Sequence, residues 1–113
     1  MGAQTTWAWI AGIVLVLVGL WGFFTQPILG IFAVNSLHNI VHLVTGLLFI
    51  WAATKGPAKT FNVWLGIIYL LVAVIGFFGG LSFLAVMGGN DPDNWLHLVL
   101  GLVSLIVGLS AKN

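Results

Sequence analysis

The sequence contains no cysteine and no arginine, and charged residues make up only 4% of its 113 positions. The absence of cysteine excludes disulfides, thiolate catalysis and iron–sulfur clusters. Three lysines without an arginine form no basic patch of the kind that binds nucleic acid. These charged side chains are also too few to cover the surface of a water-soluble domain, in which about 25% of residues are charged. We therefore expect this chain to lie in a lipid bilayer.

Apolar residues are abundant instead, at 61% of the sequence. A hydrocarbon core of about 30 Å requires roughly 20 apolar residues per helix. The sequence has four runs of about this length, at 7–24, 36–54, 61–80 and 92–110. We predict an all-α fold in which one integral membrane domain, residues 1–113, forms a bundle of four transmembrane helices.

The few charges predict an orientation. Lys55 and Lys59 lie between the second and third runs and Lys112 follows the fourth, whereas Asp91 directly precedes the fourth run and Asp93 lies at its start. Four spans place both termini and the middle connection on one side of the membrane. Lysines in short loops favour the cytoplasmic side. The sequence therefore predicts that both termini face the cytoplasm.

The two halves of the sequence resemble each other. Two pairs of segments align: "GIVLVLVGLWGFF" (12–24) with "GIIYLLVAVIGFF" (66–78), and "NSLHNIVHLVTGL" (35–47) with "NDPDNWLHLVLGL" (90–102). We predict two tandem helical-hairpin repeats, at about 7–54 and 61–110. Repeats of two spans insert in the same orientation and are related by an axis along the membrane normal. The second and fourth helices then lie diagonally opposite each other.

His42 and His97 occupy matching positions in these halves. Each is the sixth residue inward from a predicted helix cap, Ser36 in one half and Asp91 in the other. At 1.5 Å per residue, both histidines lie about 9 Å below their caps. We therefore expect the two rings to face each other at one depth. An ionisable residue inside a membrane span is a candidate functional residue, because its burial is costly.

A tetrapyrrole is the leading candidate ligand for this pair. Gly46 and Gly101 follow the histidines by four residues, on the same helix face, and leave room beside each ring. Asn39 and Asn94 precede them by three and are placed to hold a ring or a propionate. Two neutral imidazoles on opposed helices suit a b-type haem. Because no cation on this side pairs with propionates, a chlorophyll-type pigment with uncharged edges is the alternative.

Two other interpretations stay open. His38 and His42 are an i, i+4 pair, and with His97 and Asp93, the counterpart of His38, they form a nitrogen and oxygen ligand set of zinc or copper type. His38 lies so near the helix start that a solvated position at the membrane interface is the simpler expectation. Histidine and asparagine also hydrogen-bond between membrane helices, so a bundle without any cofactor is equally compatible.

The segments "NSLHNIVHLVTGLL" and "DNWLHLVLGL" resemble a family of small four-helix bacterial membrane proteins, domain of unknown function 4383. The resemblance covers most of the chain. Its two motifs, N-x-x-H-x-x-x-H-x-x-x-G and D-N-x-x-H, map onto Asn35, His38, His42, Gly46, Asp93, Asn94 and His97. It implies four spans in a bacterial inner membrane, or a thylakoid-type membrane, and no particular activity.

No Walker loop, zinc-protease motif or acidic residue deep within a span supports an enzyme or a transporter. We predict a non-enzymatic accessory or structural protein of the lipid bilayer. Its expected partners are a larger membrane complex, which includes a photosynthetic one if pigment is bound, or further copies of itself.

Overall fold

The chain forms four α-helices in the part that a computed structural model describes, residues 2–111. They are α1 (Ala3–Phe24), α2 (Ser36–Lys55), α3 (Ala58–Phe77) and α4 (Pro92–Ser110). Each is long and apolar enough to cross a membrane, so the predicted all-α bundle is confirmed. Lys112, which entered the prediction of orientation, lies outside the described residues. We call the end with the α1–α2 and α3–α4 connections the histidine end, and the opposite end the lysine end.

Local side chains begin two of the helices. Asp91 caps α4 as predicted, because its Oδ1 accepts a hydrogen bond of 2.9 Å from the Asp93 amide, and Pro92 is the first helical residue. The prediction that Ser36 caps α2 is wrong. Asn35 is the extended residue before the helix, and its Oδ1 accepts from the His38 amide at 2.9 Å. Ser36 is therefore the first residue of α2.

The helices associate as two hairpins, α1 with α2 and α3 with α4. In the first hairpin, a Cβ added to Gly46 would lie 2.9 Å from the Gly12 carbonyl oxygen, and the reverse distance is also 2.9 Å. In the second, Gly66 and Gly101 give 3.1 and 3.0 Å in the same arrangement. Small residues at such contacts let the backbones of membrane helices approach closely. Both hairpins therefore use a reciprocal glycine pair to set their spacing.

A polar clamp joins three helices at the lysine end. The buried Gln4 on α1 donates hydrogen bonds from Nε2 to the carbonyls of Val107 (2.8 Å) and Ala111 (2.9 Å) at the end of α4. Asn62 on α3 is also buried, and its Nδ2 donates to Gln4 Oε1 at 2.8 Å. The bond to Ala111 satisfies a carbonyl that the end of α4 leaves without a helical partner.

The α3–α4 connection folds over the histidine end. It contains a short 3-10 helix, Ser82–Leu84, and buries Leu81, Leu84 and Val86. Asn35 Nδ2 donates to the Phe83 carbonyl at 2.8 Å, which ties this connection to the beginning of α2. The connection consequently covers His38 in the first turn of α2, while Ser36 and Leu37 stay exposed.

Candidate metal centre

The three histidines of the chain meet in one cluster near the histidine end. The ring centroids of His42 and His97 are 6.1 Å apart. The His38 centroid lies 4.4 Å from that of His42 and 5.8 Å from that of His97. The exposed fractions of His38, His42 and His97 are 1%, 4% and 3%. The structure thus brings His42 and His97 together, as their matched positions predict, and adds His38 to them.

The expectation of a solvated His38 at the membrane interface is wrong. The α3–α4 connection covers this residue, and the His38 Nδ1 lies 2.8 Å from the Leu84 carbonyl oxygen. Because a carbonyl only accepts, Nδ1 carries the hydrogen and donates it, which leaves the lone pair on Nε2. A hydrogen bond from one ring nitrogen to a backbone carbonyl is the usual support of a metal-ligating histidine.

The cluster contains buried nitrogens without partners. His38 Nε2, His42 Nδ1 and His97 Nδ1 are all buried, and none has a hydrogen-bond partner among residues 2–111. Buried polar atoms of this kind are uncommon in folded proteins and call for an explanation. One potential ligand atom from each histidine forms a group whose members lie within 4.8 Å of one another. Three imidazoles are therefore close enough to share one ion.

Asp93 does not complete this ligand group, contrary to the nitrogen and oxygen set that the sequence suggested. Its side chain is buried, with an exposed fraction of 1%, but it lies outside the group of convergent ligand atoms. Together with His42 it lines a cavity of about 160 Å³. Its Oδ2 has no hydrogen-bond partner within the described chain. The carboxyl group is thus near the cluster without being one of its ligands.

Asn39 and Asn94 lie against glycines of the neighbouring helices. The oxygen of Asn39 occupies the space that a side chain on Gly22 would need, and Asn94 does the same at Gly76. Asn94 Nδ2 also donates to the carbonyls of Met87 (3.0 Å) and Gly89 (3.1 Å). The amide nitrogen of Asn94 thus holds the α3–α4 connection, and Asn39 packs on α1; that either asparagine holds a cofactor stays a prediction.

The glycines after the histidines do not open a cavity either. The space beside Gly46 is filled by Val16, whose backbone nitrogen would lie 2.8 Å from an added Cβ. The space beside Gly101 is filled by Leu70, at 2.7 Å. Both glycines therefore serve the packing of each hairpin, and the expected room for a flat ring is absent at these two positions.

Tyr69 is a neighbour of the cluster that the sequence patterns did not reveal. Its ring centroid lies 5.7 Å from that of His97, and its hydroxyl is 2.7 Å from Thr45 Oγ1 on α2. It is the one tyrosine of the chain, and this rarity was the only available signal. The hydroxyl pair joins α2 to α3 beside the histidines.

Four apolar helices, paired as hairpins around buried histidines, define a small helical membrane protein with a candidate metal centre near one end. The chain belongs to the family described as a domain of unknown function (DUF4383), whose model matches residues 5–110. The resemblance seen in the histidine motifs is thereby confirmed. No curated protein and no solved structure matches the chain.

Proposed function

We propose that this protein binds one transition-metal ion of the zinc or copper type between its two hairpins, and that it is not an enzyme. The observation that carries the proposal is the convergence of His38, His42 and His97 within 4.8 Å. Imidazole nitrogen is a preferred ligand of zinc and copper. In a tetrahedral zinc site with Zn–N bonds of roughly 2.0–2.1 Å, ligand nitrogens lie about 3.3 Å apart. The three ligand atoms, which lie within 4.8 Å of one another, would move closer together when the ion binds.

The position of His38 favours an ion over a haem. A haem between His42 and His97 would extend its plane sideways from the line joining the two rings. The His38 ring lies within 5.8 Å of both centroids and fills part of that space. A single ion needs no such space, because the third imidazole becomes a ligand. The same argument applies to a chlorophyll-type pigment on either ring.

The proposed ion would be held in apolar surroundings by neutral ligands. A buried charge is costly in a bilayer unless an opposite charge or a dipole stabilises it. The buried carboxyl group of Asp93 shares a cavity with His42 and supplies one such charge. Groups outside the ligand set commonly change metal affinity by about 10- to 100-fold. We therefore assign Asp93 to the surroundings of the ion.

We place this site beneath the outer surface of a bacterial membrane. Lys55 and Lys59 lie at the turn between α2 and α3, opposite to Asp91, and lysine in short loops favours the cytoplasm. An ion that links the hairpins gives the protein a structural or accessory role, either in a larger complex or as an oligomer. The matched glycine contacts favour an origin of the hairpins by duplication.

Cobalt binding tests the proposal. Purified protein in detergent micelles, treated with a chelator and then titrated with Co²⁺, should take up one ion per chain and develop visible absorption bands of a nitrogen-rich site. His38→Ala should lose these bands because it removes a ligand. Asp93→Asn is the matched control, since it alters the corresponding residue of the second hairpin and should keep the bands at lower affinity.

Two results would contradict the metal site. A Soret band that persists in His38→Ala but disappears in His42→Ala would assign the cluster to haem. Folded, colourless protein that takes up no Co²⁺, Zn²⁺ or Cu²⁺ would leave the histidines as packing groups between helices.

A further inference from the structure

The candidate metal centre offers three protein ligands to an ion. His38, His42 and His97 each contribute one nitrogen, and no carboxylate among residues 2–111 belongs to the same group. Zinc in proteins is almost always bound by four ligands, and water takes the fourth position where the protein supplies three. The cuprous ion, Cu⁺, has a filled d shell and forms stable complexes with three ligands, and imidazole suits copper. The number of ligands therefore favours Cu⁺ over Zn²⁺.

The surroundings of the histidines provide poorly for a water ligand. Two cavities, of about 190 and 160 Å³, adjoin the rings: His42 and His97 line the first, and His42 and Asp93 line the second. All other lining residues are aliphatic or aromatic. Asp93 Oδ2, which a metal-bound water would need as its acceptor, is fully buried. Because a buried water needs roughly two to four polar partners and apolar cavities stay dry, a zinc ion would lack its fourth ligand.

The charge of the ion provides a second argument. All three ligands are neutral imidazoles in a buried position. The cost of transferring an ion from water to apolar surroundings rises with the square of its charge, so a divalent ion costs about four times as much as a monovalent ion of the same size. The buried carboxylate of Asp93, which shares a cavity with His42, balances the charge of Cu⁺. It leaves one positive charge of Zn²⁺ or Cu²⁺ unbalanced.

The arrangement of the ligands also separates the two oxidation states of copper. Cupric copper favours square-planar or tetragonal coordination by nitrogen and oxygen. Here the three ligands come from two helices, and their ring planes are inclined to one another by 58°, 51° and 64°. A square around Cu²⁺ would keep one corner without a ligand from the described residues. The ligand set therefore suits the cuprous ion better than the cupric ion.

We propose that the ion of this centre is Cu⁺, bound in preference to Zn²⁺ and to Cu²⁺. This inference rests on the proposed function and names the metal and its oxidation state. The copper lies between the nitrogens of His38, His42 and His97, and Asp93 is its counter-charge outside the ligand set. The dry, nearly uncharged surroundings are what select the ion, since imidazole alone suits zinc and copper equally.

Competition between metals tests this preference on the full chain in detergent micelles without oxygen. The protein should withdraw one Cu⁺ per chain from bathocuproine disulfonate, which loses its orange colour as it gives up the ion. Zn²⁺, titrated against a zinc-binding dye, should bind about 100-fold more weakly or worse, a difference of about 2.7 kcal/mol. Met87→Leu is a control, because Met87 is the one thioether among residues 2–111 and is exposed. It should leave the Cu⁺ titration unchanged.

A matched pair of variants tests whether dryness selects the ion. Val18 lines both cavities beside the histidines, whereas its counterpart on α3, Val72, lines neither. Val18→Thr keeps the size of the side chain and adds a hydroxyl that can hold a water as the fourth ligand. It should raise the affinity for Zn²⁺ by about tenfold, the lower end of the range for groups outside the ligand set. Val72→Thr should leave both affinities unchanged.

The outcomes distinguish this inference from the metal centre on which it rests. A chain that binds Zn²⁺ as tightly as Cu⁺ would overturn the choice of ion and leave the three-histidine centre in place. A chain that withdraws no Cu⁺ and takes up no Zn²⁺ would overturn both proposals. Copper-loaded protein should also give no electron paramagnetic resonance signal, and a full cupric signal after loading with Cu⁺ and exposure to air would contradict the preferred oxidation state.

Discussion

The first hairpin, α1 with α2, and the second, α3 with α4, are alike where their helices pack and different where they carry polar groups. The glycine pairs Gly12–Gly46 and Gly66–Gly101 make the same contacts within a few tenths of an ångström. By contrast, the position of His38 in the first hairpin is occupied by Asp93 in the second. The matched glycines give both hairpins the same helix packing. The unmatched His38 is what turns the pair of His42 and His97 into a three-histidine cluster.

Two of the contacts between the hairpins, α2 with α3 and α1 with α4, also differ at matched positions. The α2–α3 contact is joined by Thr45 and Tyr69, whereas Leu100 and Leu15 stand at the matching places beside α4 and α1. At these matched positions a hydroxyl pair joins α2 to α3, whereas aliphatic side chains lie between α1 and α4, which are joined elsewhere by a hydrogen bond of 2.8 Å from Trp7 Nε1 to Ser104 Oγ. The difference teaches that a few unmatched side chains make the two contacts of a nearly symmetric bundle chemically unlike.

The largest losses of stability should come from substitutions in the glycine contacts that both hairpins share. Gly46→Val and Gly101→Val each place a side chain against backbone atoms less than 3.0 Å from the new Cβ. We expect each to lower the free energy of unfolding by about 3 kcal/mol, at the upper end for overpacked sites. Denaturation by sodium dodecyl sulfate in mixed micelles measures this loss. Val44→Leu, at an exposed position of α2, is the control and should have little effect.

If only one of these two substitutions strongly lowered the free energy of unfolding, the claim that both hairpins pack in the same way would be contradicted. The matched glycines would then not make equivalent contacts.

An intermediate loss of stability should follow when the Asn62 amide, a polar group that only the second hairpin has, is removed. Asn62→Ala installs the residue that the first hairpin carries at the matching position, Ala8. The change removes the donor to Gln4 Oε1 in a fully buried place. We expect a loss of about 1–2 kcal/mol in the free energy of unfolding, because buried acceptors are left without partners. The same denaturation assay applies, and a loss no greater than that of the exposed control Thr60→Ala would refute the role of the clamp.

The smallest effect should come from the hydroxyl pair that closes the α2–α3 contact. Tyr69→Phe keeps the ring and removes the group that lies 2.7 Å from Thr45 Oγ1. Hydrogen bonds between membrane helices contribute about 0.6 kcal/mol on average, and we expect a loss of that size. A double-mutant cycle with Thr45→Val isolates the pair, and a coupling energy of zero would exclude it as a link between the hairpins.

The sequence predicted the four helices because continuous apolar runs bounded by glycine, proline and charge leave little choice in a membrane. It also predicted the approach of His42 and His97, since matched positions in parallel hairpins lie at one depth. Both predictions depend on periodicity and length, which a single sequence records directly.

The sequence could not predict the burial of His38. That burial depends on the α3–α4 connection, which folds back so that the Leu84 carbonyl reaches the His38 ring. Loops without a periodic pattern give no such information in advance. The role of Gly46 was misjudged for a related reason, because helix rotation decides whether a glycine faces a cavity or, as here, the backbone of α1.

X-ray absorption at the zinc edge tests the central claim most directly. Protein loaded with one equivalent of Zn²⁺ should show nitrogen ligands at about 2.0–2.1 Å and the outer-shell scattering of three imidazoles, from His38, His42 and His97. A shell of water oxygens, or scattering from fewer than three imidazoles, would contradict the three-histidine metal centre.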